Sequence, residues 1–261
     1  MKTINEINAF LLDMDGTFYL GDHLLPGALV FLHTLKEKGR KFSFLTNNSS
    51  KNRLEYQQKL IRLGLKAEDA IVLTSGDATV RYLLEHTGYR RVYLVGTPGL
   101  EDTFKAAGLT LDEQNPEVAV LGFDTTLTYH KICTLSNHLV KGLPFIATHP
   151  DINCPVPSGF IPDIGSMLAM IRTSTGREPN LVIGKPNRLI VDMLADSLGE
   201  KAEDCAMVGD RLYTDIALGK TSGVTTILML SGETKISDLE GSDIRPDYIF
   251  DDLEALNKEI S

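Results

Sequence analysis

Cysteine is scarce in this 261-residue sequence: Cys133, Cys154 and Cys205 lie far apart and form no CxxC pair. That spacing argues against a disulfide framework or a zinc knuckle and fits a reducing cytoplasm. Positive charge is also in deficit, with Lys+Arg 26 against Asp+Glu 35 and a net charge of -9. An anionic surface repels nucleic-acid phosphates and anionic lipid, which argues against a general nucleic-acid or membrane-surface binder and still leaves room for a local basic pocket. Long apolar runs are missing too: none approaches the roughly 20 residues needed to cross a bilayer. The first residues carry Lys2 and Glu6 ahead of only a short apolar stretch, so no signal peptide is expected. There is no repeat of fixed period and no low-complexity segment. The histidines His23, His33, His86, His130 and His138 form no metal-spaced cluster.

What is present is the balance of a globular chain, 43% hydrophobic and 23% charged, long enough for two domains. Short apolar runs alternate with longer amphipathic ones. Ala9–Leu12, Phe42–Leu45 and Ala70–Leu73 read as strands, with helices over Pro26–Gly39 and Asn52–Leu63 between them. The same grammar returns late. Strands are expected at Leu181–Ile183, Ala206–Val208, Thr225–Leu230 and Tyr248–Phe250, with helices over Leu189–Leu198 and Asp215–Thr221. This alternation predicts an α/β fold with a parallel sheet. The stretch between the two halves alternates helix and strand again and can carry its own core. Ser75-Gly76 and Arg177–Asn180 are turn-forming hinges. The expected division is a core of residues 1–75 plus 181–261 and an inserted domain of 76–180.

Four polar segments each follow a predicted strand. Asp13-Met14-Asp15-Gly16-Thr17 places two carboxylates one residue apart, which stay ionised in a buried site only beside a cation or donors. Gly16 permits a turn whose N–H groups converge on an anion. Thr46-Asn47-Asn48 offers a hydroxyl and amides, Gly184-Lys185-Pro186 a fixed positive charge, and Gly209-Asp210 with Asp215 two further carboxylates. Each segment has an ordinary alternative: a turn-capping Asp, a helix N-cap, a solvated loop lysine, a helix N-terminal acid. Together they place carboxylates, an ammonium and a hydroxyl on one rim of a parallel sheet, a hard-cation site beside an oxyanion site. The implied ligand is a phosphate bridged to Mg²⁺. An EF-hand fails because Leu11 stands where an oxygen ligand is needed. Gly219-Lys220-Thr221 is no phosphate loop, since its first glycine would fall at Thr214.

The ordered set Asp13–Thr17, Thr46, Lys185 and Asp210 with Asp215 resembles the four motifs of the haloacid dehalogenase-like (HAD) phosphatase superfamily. Thr46–Ser50, Ala147–Asp151 and Ile183–Pro186 look like its NagD/4-nitrophenylphosphatase branch. The resemblance implies a Rossmann-like core with an inserted C2-type cap. It also implies a Mg²⁺-dependent phosphomonoesterase acting on small phosphorylated metabolites and aryl phosphates through an aspartyl-phosphate. Asp13 would be the nucleophile and Asp15 the acid and base. Met14, Thr46, Asn47 and Lys185 would bind phosphate. Asp13, Asp15 (through its carbonyl) and Asp210 would hold the metal, and Asp215 would orient those ligands. Asp15 is the residue that separates the phosphatases from the dehalogenases, which lack it. In the cap, His149, Asp151 and Asn153 are candidate specificity residues on a loop stiffened by Pro150, Pro155 and Pro157, with a polar surface loop as the plainer alternative. A phosphotransferase or mutase, and a non-catalytic phosphate binder, are the competing readings. Pairing of copies through the cap is left open, with no coiled-coil heptads to support it.

Overall fold

A computed structural model describes residues 2–156 and 159–260, so Pro157 lies outside the described residues. The chain divides into two compact units. The first comprises Met1–Thr46, Tyr56–Leu73 and Lys185–Ser261, the second Asn47–Glu55 and Thr74–Gly184.

The first unit is built on a six-stranded sheet in the order Tyr248–Phe250, Thr225–Met229, Cys205–Gly209, Ala9–Leu12, Lys41–Thr46, Val72–Thr74. The central Ala9–Leu12 strand pairs in parallel on both sides, Ala9 opposite Cys205 and Lys41. All four of its residues are fully buried, as a strand covered on both faces requires, which is why it reads as an unbroken apolar run. Helix Ala28–Glu37 buries Phe31, Leu32 and Leu35. The Phe31 ring meets Phe10 edge-on with centroids 5.6 Å apart. Each such fully buried ring or leucine contributes roughly 1.5–3 kcal/mol of transfer free energy. The closing helix Leu253–Ile260 adds Leu253, Leu256 and Ile260 to the same core.

The second unit has its own sheet, ordered Leu181–Val182, Phe145–Ala147, Val118–Leu121, Arg91–Val95, Thr110–Leu111, with every pairing parallel. An antiparallel hairpin, Asn153–Val156 with Gly159–Pro162, forms a separate two-stranded sheet in this unit. Its core gathers Phe123, Leu135, Leu139, Phe145, Ile164 and Ile171. Its helices begin where the sequence supplies caps: the side chains of Thr74, Thr97, Thr128 and Asp163 accept backbone N–H groups at the starts of Ser75–His86, Pro98–Ala106, Tyr129–Val140 and Ile164–Thr175. Among the described residues no helix is long and apolar enough to cross a membrane.

One strand differs from expectation. Leu181–Val182 pairs with Phe145–Ala147 in the second sheet, not with a strand of the first. The Ile183 and Gly184 N–H groups extend that pairing by donating to the carbonyls of Ala147 and Thr148, at 3.1 and 2.8 Å. Gly184 runs so close to that strand's end that a Cβ there would lie 2.8 Å from the Thr148 carbonyl oxygen.

Candidate active site

In a parallel sheet the loops after the strands share one rim. In the first unit Asp13 follows Ala9–Leu12, Thr46 ends Lys41–Thr46, Asp210 follows Cys205–Gly209, and Ser231-Gly232-Glu233 come just after Thr225–Met229. Lys185 is the exception, since it follows a strand of the second sheet and enters the site from a loop.

Lys185 is the hub. It is 2% exposed, and its Nζ lies 2.5 Å from Asp13 Oδ1 and 2.7 Å from Asp215 Oδ1. It also donates to the Leu45 carbonyl at 3.3 Å. Asp210 is held from two sides: the Thr17 hydroxyl donates to Oδ1 at 3.3 Å and the Glu233 N–H to Oδ2 at 2.7 Å. Asp215 Oδ2 accepts the Arg211 N–H at 3.1 Å. Gly16, at φ +91°, passes so near Asp210 that a Cβ would lie 2.5 Å from its Oδ2. A Cβ at Gly232 would collide with Asp210, and one at Gly209 with Asp215. The carboxylates thus occupy space that only glycine backbone leaves open.

Oxygens of Asp13, Asp210 and Asp215 all lie within 4.8 Å of one another. Three carboxylates beside one ammonium leave two formal negative charges uncompensated. The titration behaviour follows. Burial pushes the Asp13 carboxyl well above its usual range, with Asp215 and Asp210 adding to the rise and Lys185 opposing it. Burial, then the Asp215 charge, pushes Asp210 up to about 7. Burial disfavours the charge on Lys185, but Asp13 and Asp215 outweigh it and its pKa is raised, so the ammonium persists. An all-oxygen donor set with an excess of two negative charges fits a hard divalent cation.

Asp15 and Met14 lie in the turn after Asp13. The Met14 carbonyl accepts the Phe18 and Tyr19 N–H groups at 2.9 and 3.1 Å. Asp15 Oδ2 accepts the Tyr19 hydroxyl at 3.3 Å. Thr46 is buried. Asn47 belongs to the second unit, where its side-chain amide donates to Asp151 Oδ1 at 2.8 Å. His149 and Asp151 are buried there also. The His149 ring has Asp151 Oδ1 3.8 Å from Nδ1 and Asp163 Oδ1 3.6 Å from Nε2. Asn153 is half-buried on the hairpin, opposite Pro162.

Sequence reasoning assigned no role to Thr17, Gly232 or Glu233, all of which frame Asp210. Ser231-Gly232-Glu233 carried the same signal as the other motifs, a polar, glycine-containing segment close behind an apolar strand.

Comparison with known proteins adds to this geometry. The profile of the haloacid dehalogenase-like hydrolases matches residues 10–110, and a HAD-hydrolase-like profile matches 182–256. An acid sugar phosphatase of Staphylococcus haemolyticus is 36% identical over 258 residues, covering 98% of both chains. The crystal structure of a 4-nitrophenylphosphatase from Thermotoga maritima is 50% identical, with a TM-score of 0.95 over 98% of each chain. A glycerol phosphate phosphatase from Mycobacterium tuberculosis, solved in complex with magnesium, is 30% identical with a TM-score of 0.87, over 98% of this chain and 78% of that one.

Proposed function

Since the chain belongs to the haloacid dehalogenase-like hydrolases, in their NagD/4-nitrophenylphosphatase branch, and is a phosphatase of that family, we propose that it is a Mg²⁺-dependent phosphomonoesterase of small phosphorylated metabolites, working through an aspartyl-phosphate on Asp13. The observation that carries this reading is the Lys185 ammonium set between Asp13 and Asp215 within a cluster of three carboxylates, Asp210 and Asp215 buried and Asp13 half-buried.

Asp13 and Asp210, with the Asp15 carbonyl, would hold the cation. When bound it would shield the meeting of an anionic nucleophile with an anionic phosphate and keep both carboxylates ionised. Asp13 needs no base for activation, only relief from the burial and like charge that favour its protonated form. Lys185, fixed by Asp13 and Asp215, supplies positive charge where phosphoryl oxygens develop charge in the transition state, with the Thr46 hydroxyl as a further donor. Asp15 passes a proton to the departing oxygen, then removes one from the water that hydrolyses the phosphoenzyme. Asp215 acts through Lys185. The candidate substrates share a phosphate monoester and a small, polar leaving group, as the names of the acid sugar, 4-nitrophenyl and glycerol phosphate phosphatases suggest.

The test is phosphate release from p-nitrophenyl phosphate. Activity that needs Mg²⁺, is abolished by EDTA and is lost in Asp13→Asn with the fold intact supports the reading. Wild-type turnover in Asp13→Asn overturns it.

A further inference from the structure

The first turn of the site contains a phenol that the mechanism above does not use. Tyr19 is fully buried, one of the largest side chains in the first unit with no exposed surface. Its hydroxyl donates to Asp15 Oδ2 at 3.3 Å. We propose that Tyr19 is a positioning residue for the acid–base carboxylate, holding the Asp15 side chain in one orientation through both halves of the reaction. The inference rests on Asp15 having the role proposed above.

The backbone fixes the origin of the phenol. The Gly16 N–H donates to the Tyr19 carbonyl at 2.9 Å, the Tyr19 N–H returns to the Met14 carbonyl at 3.1 Å, and Asp15 and Tyr19 form a β-bridge. Tyr19–Leu20 then pairs antiparallel with His23–Leu24, Tyr19 opposite Leu24. The ring is pinned as well, with Lys59 Nζ 3.7 Å from its centroid. Neither end of the side chain is free to drift, so the oxygen is delivered to one place.

The chemistry of a phenol suits this carboxyl in particular. In the proposed reaction Asp15 alternates between a protonated and an ionised form. A lysine or a backbone N–H can only donate, so it can bond the protonated form only at the carbonyl oxygen and cannot accept from its O–H. A phenol donates to a carboxylate and accepts from a carboxylic acid, so one pair of atoms stays bonded in both states. A buried phenol with no acceptor would carry a desolvation cost, so the bond also serves the fold. The experiment must separate these two uses.

Tyr19→Phe removes a single oxygen and keeps the ring. Wild type, Tyr19→Phe, Asp15→Asn and the double variant are compared with p-nitrophenyl phosphate and Mg²⁺, by steady-state turnover and by rapid-quench measurement of phosphoenzyme. p-Nitrophenolate leaves without protonation, so loss of a correctly placed base slows the second half-reaction selectively. We expect kcat of Tyr19→Phe to fall roughly tenfold, KM to change little, and the phosphoenzyme fraction to rise. Added to Asp15→Asn, the change should slow phosphoenzyme hydrolysis no further. Near-ultraviolet circular dichroism of Tyr19→Phe should match wild type, and its melting temperature should fall by no more than ~2–4 °C. In wild-type protein labelled with ¹³C at the tyrosine Cζ, the Tyr19 resonance should move when Asp15 is replaced by Asn. Unchanged kcat in Tyr19→Phe, an equal fold-loss in both backgrounds, or an unmoved resonance overturns the proposal. Full activity in Asp15→Asn would instead remove the role of Asp15 itself, so the two failures are distinct.

Discussion

Asp210 concentrates the electrostatic conflict of the site. Its carboxyl is 1% exposed and titrates at about 7, because burial and then the Asp215 charge oppose ionisation. An unfolded aspartate titrates near 3.9. Between these values the folded protein binds the proton and the unfolded chain does not. The sign is therefore negative: stability of the metal-free protein falls as pH rises from about 4 through about 7. Asp210→Asn removes this dependence and keeps an acceptor for the Glu233 N–H. Denaturant titrations in EDTA should find the variant more stable than wild type at about pH 8, by at least ~1 kcal/mol or ~2–4 °C in Tm, and less different at about pH 5. A wild-type pH slope that survives in the variant would remove this assignment. Lys185 predicts the opposite sign. Lys185→Met leaves Asp13 and Asp215 unpaired in a buried site, which should cost roughly 3–5 kcal/mol near pH 8 and lower kcat by roughly 10²–10³. The stability loss should shrink as the pH is lowered, because burial already pushes the Asp13 carboxyl up and its protonated form needs no ammonium beside it, and parallel urea titrations at two pH values check this.

At the scale of elements, the glycine before the first long helix illustrates how close packing is built. Gly27 has φ +77°, and a Cβ there would lie 2.5 Å from the Glu254 Cα, on the closing helix. Gly27→Ala therefore meets both a forbidden backbone region and a backbone collision that no side-chain rotation relieves. A loss of at least ~2 kcal/mol in urea denaturation is expected, with wild-type kcat at temperatures where the protein stays folded. The same two helices show what a sequence reveals. Ala28–Glu37 was legible from Leu29, Leu32 and Leu35, although Leu29 is 42% exposed and Phe31 takes the core position. Leu253–Ile260 is only eight residues long and left little period to read. The strands before Asp13 and Asp210 were legible because a buried parallel strand is a bare apolar run. The hairpin Tyr19–Leu20 with His23–Leu24 was not, since strands of two residues have no alternation. Nor does any local pattern say which sheet Leu181–Val182 joins, because that choice is made by hydrogen bonds to Phe145–Ala147, more than thirty residues earlier. The segment Asn47–Glu55 shows the same limit. Its place in the second unit depends on distant partners, Ser49 with Thr148 and the Phe123 N–H, both at 2.9 Å.

For the whole molecule, the division into two units with separate cores makes a prediction about where a bound cation is felt. The carboxylate cluster is confined to the first unit, Asp13 and Asp210 just after Ala9–Leu12 and Cys205–Gly209 and Asp215 in the helical turn Leu212–Ile216. A ligand that binds only the folded state stabilises it by about 2.7 kcal/mol at a hundred times its dissociation constant. That free energy acts first on the opening reactions that break the site. Hydrogen exchange followed by mass spectrometry, with saturating Mg²⁺ against EDTA, should show slowed exchange in peptides spanning Ala9–Thr17, Lys41–Thr46 and Cys205–Glu233. Peptides from Val118–Leu121 and Phe145–Ala147, in the second unit's sheet, should exchange at unchanged rates. Asp210→Asn should erase the difference in the first group. Equal protection of both sheets would mean that the two units open as one, while protection confined to the second would move the cation away from Asp13 and Asp210. The cluster His149, Asp151 and Asp163 makes that last outcome a real alternative, since these buried groups also bring ligand atoms within 4.8 Å of one another. The two clusters differ in donor type: the one in the first unit offers carboxylate oxygens alone, whereas the other sets the His149 ring nitrogens between two carboxylates. Magnesium is a hard cation that favours oxygen ligands over imidazole nitrogen, so the protection should appear in the first unit.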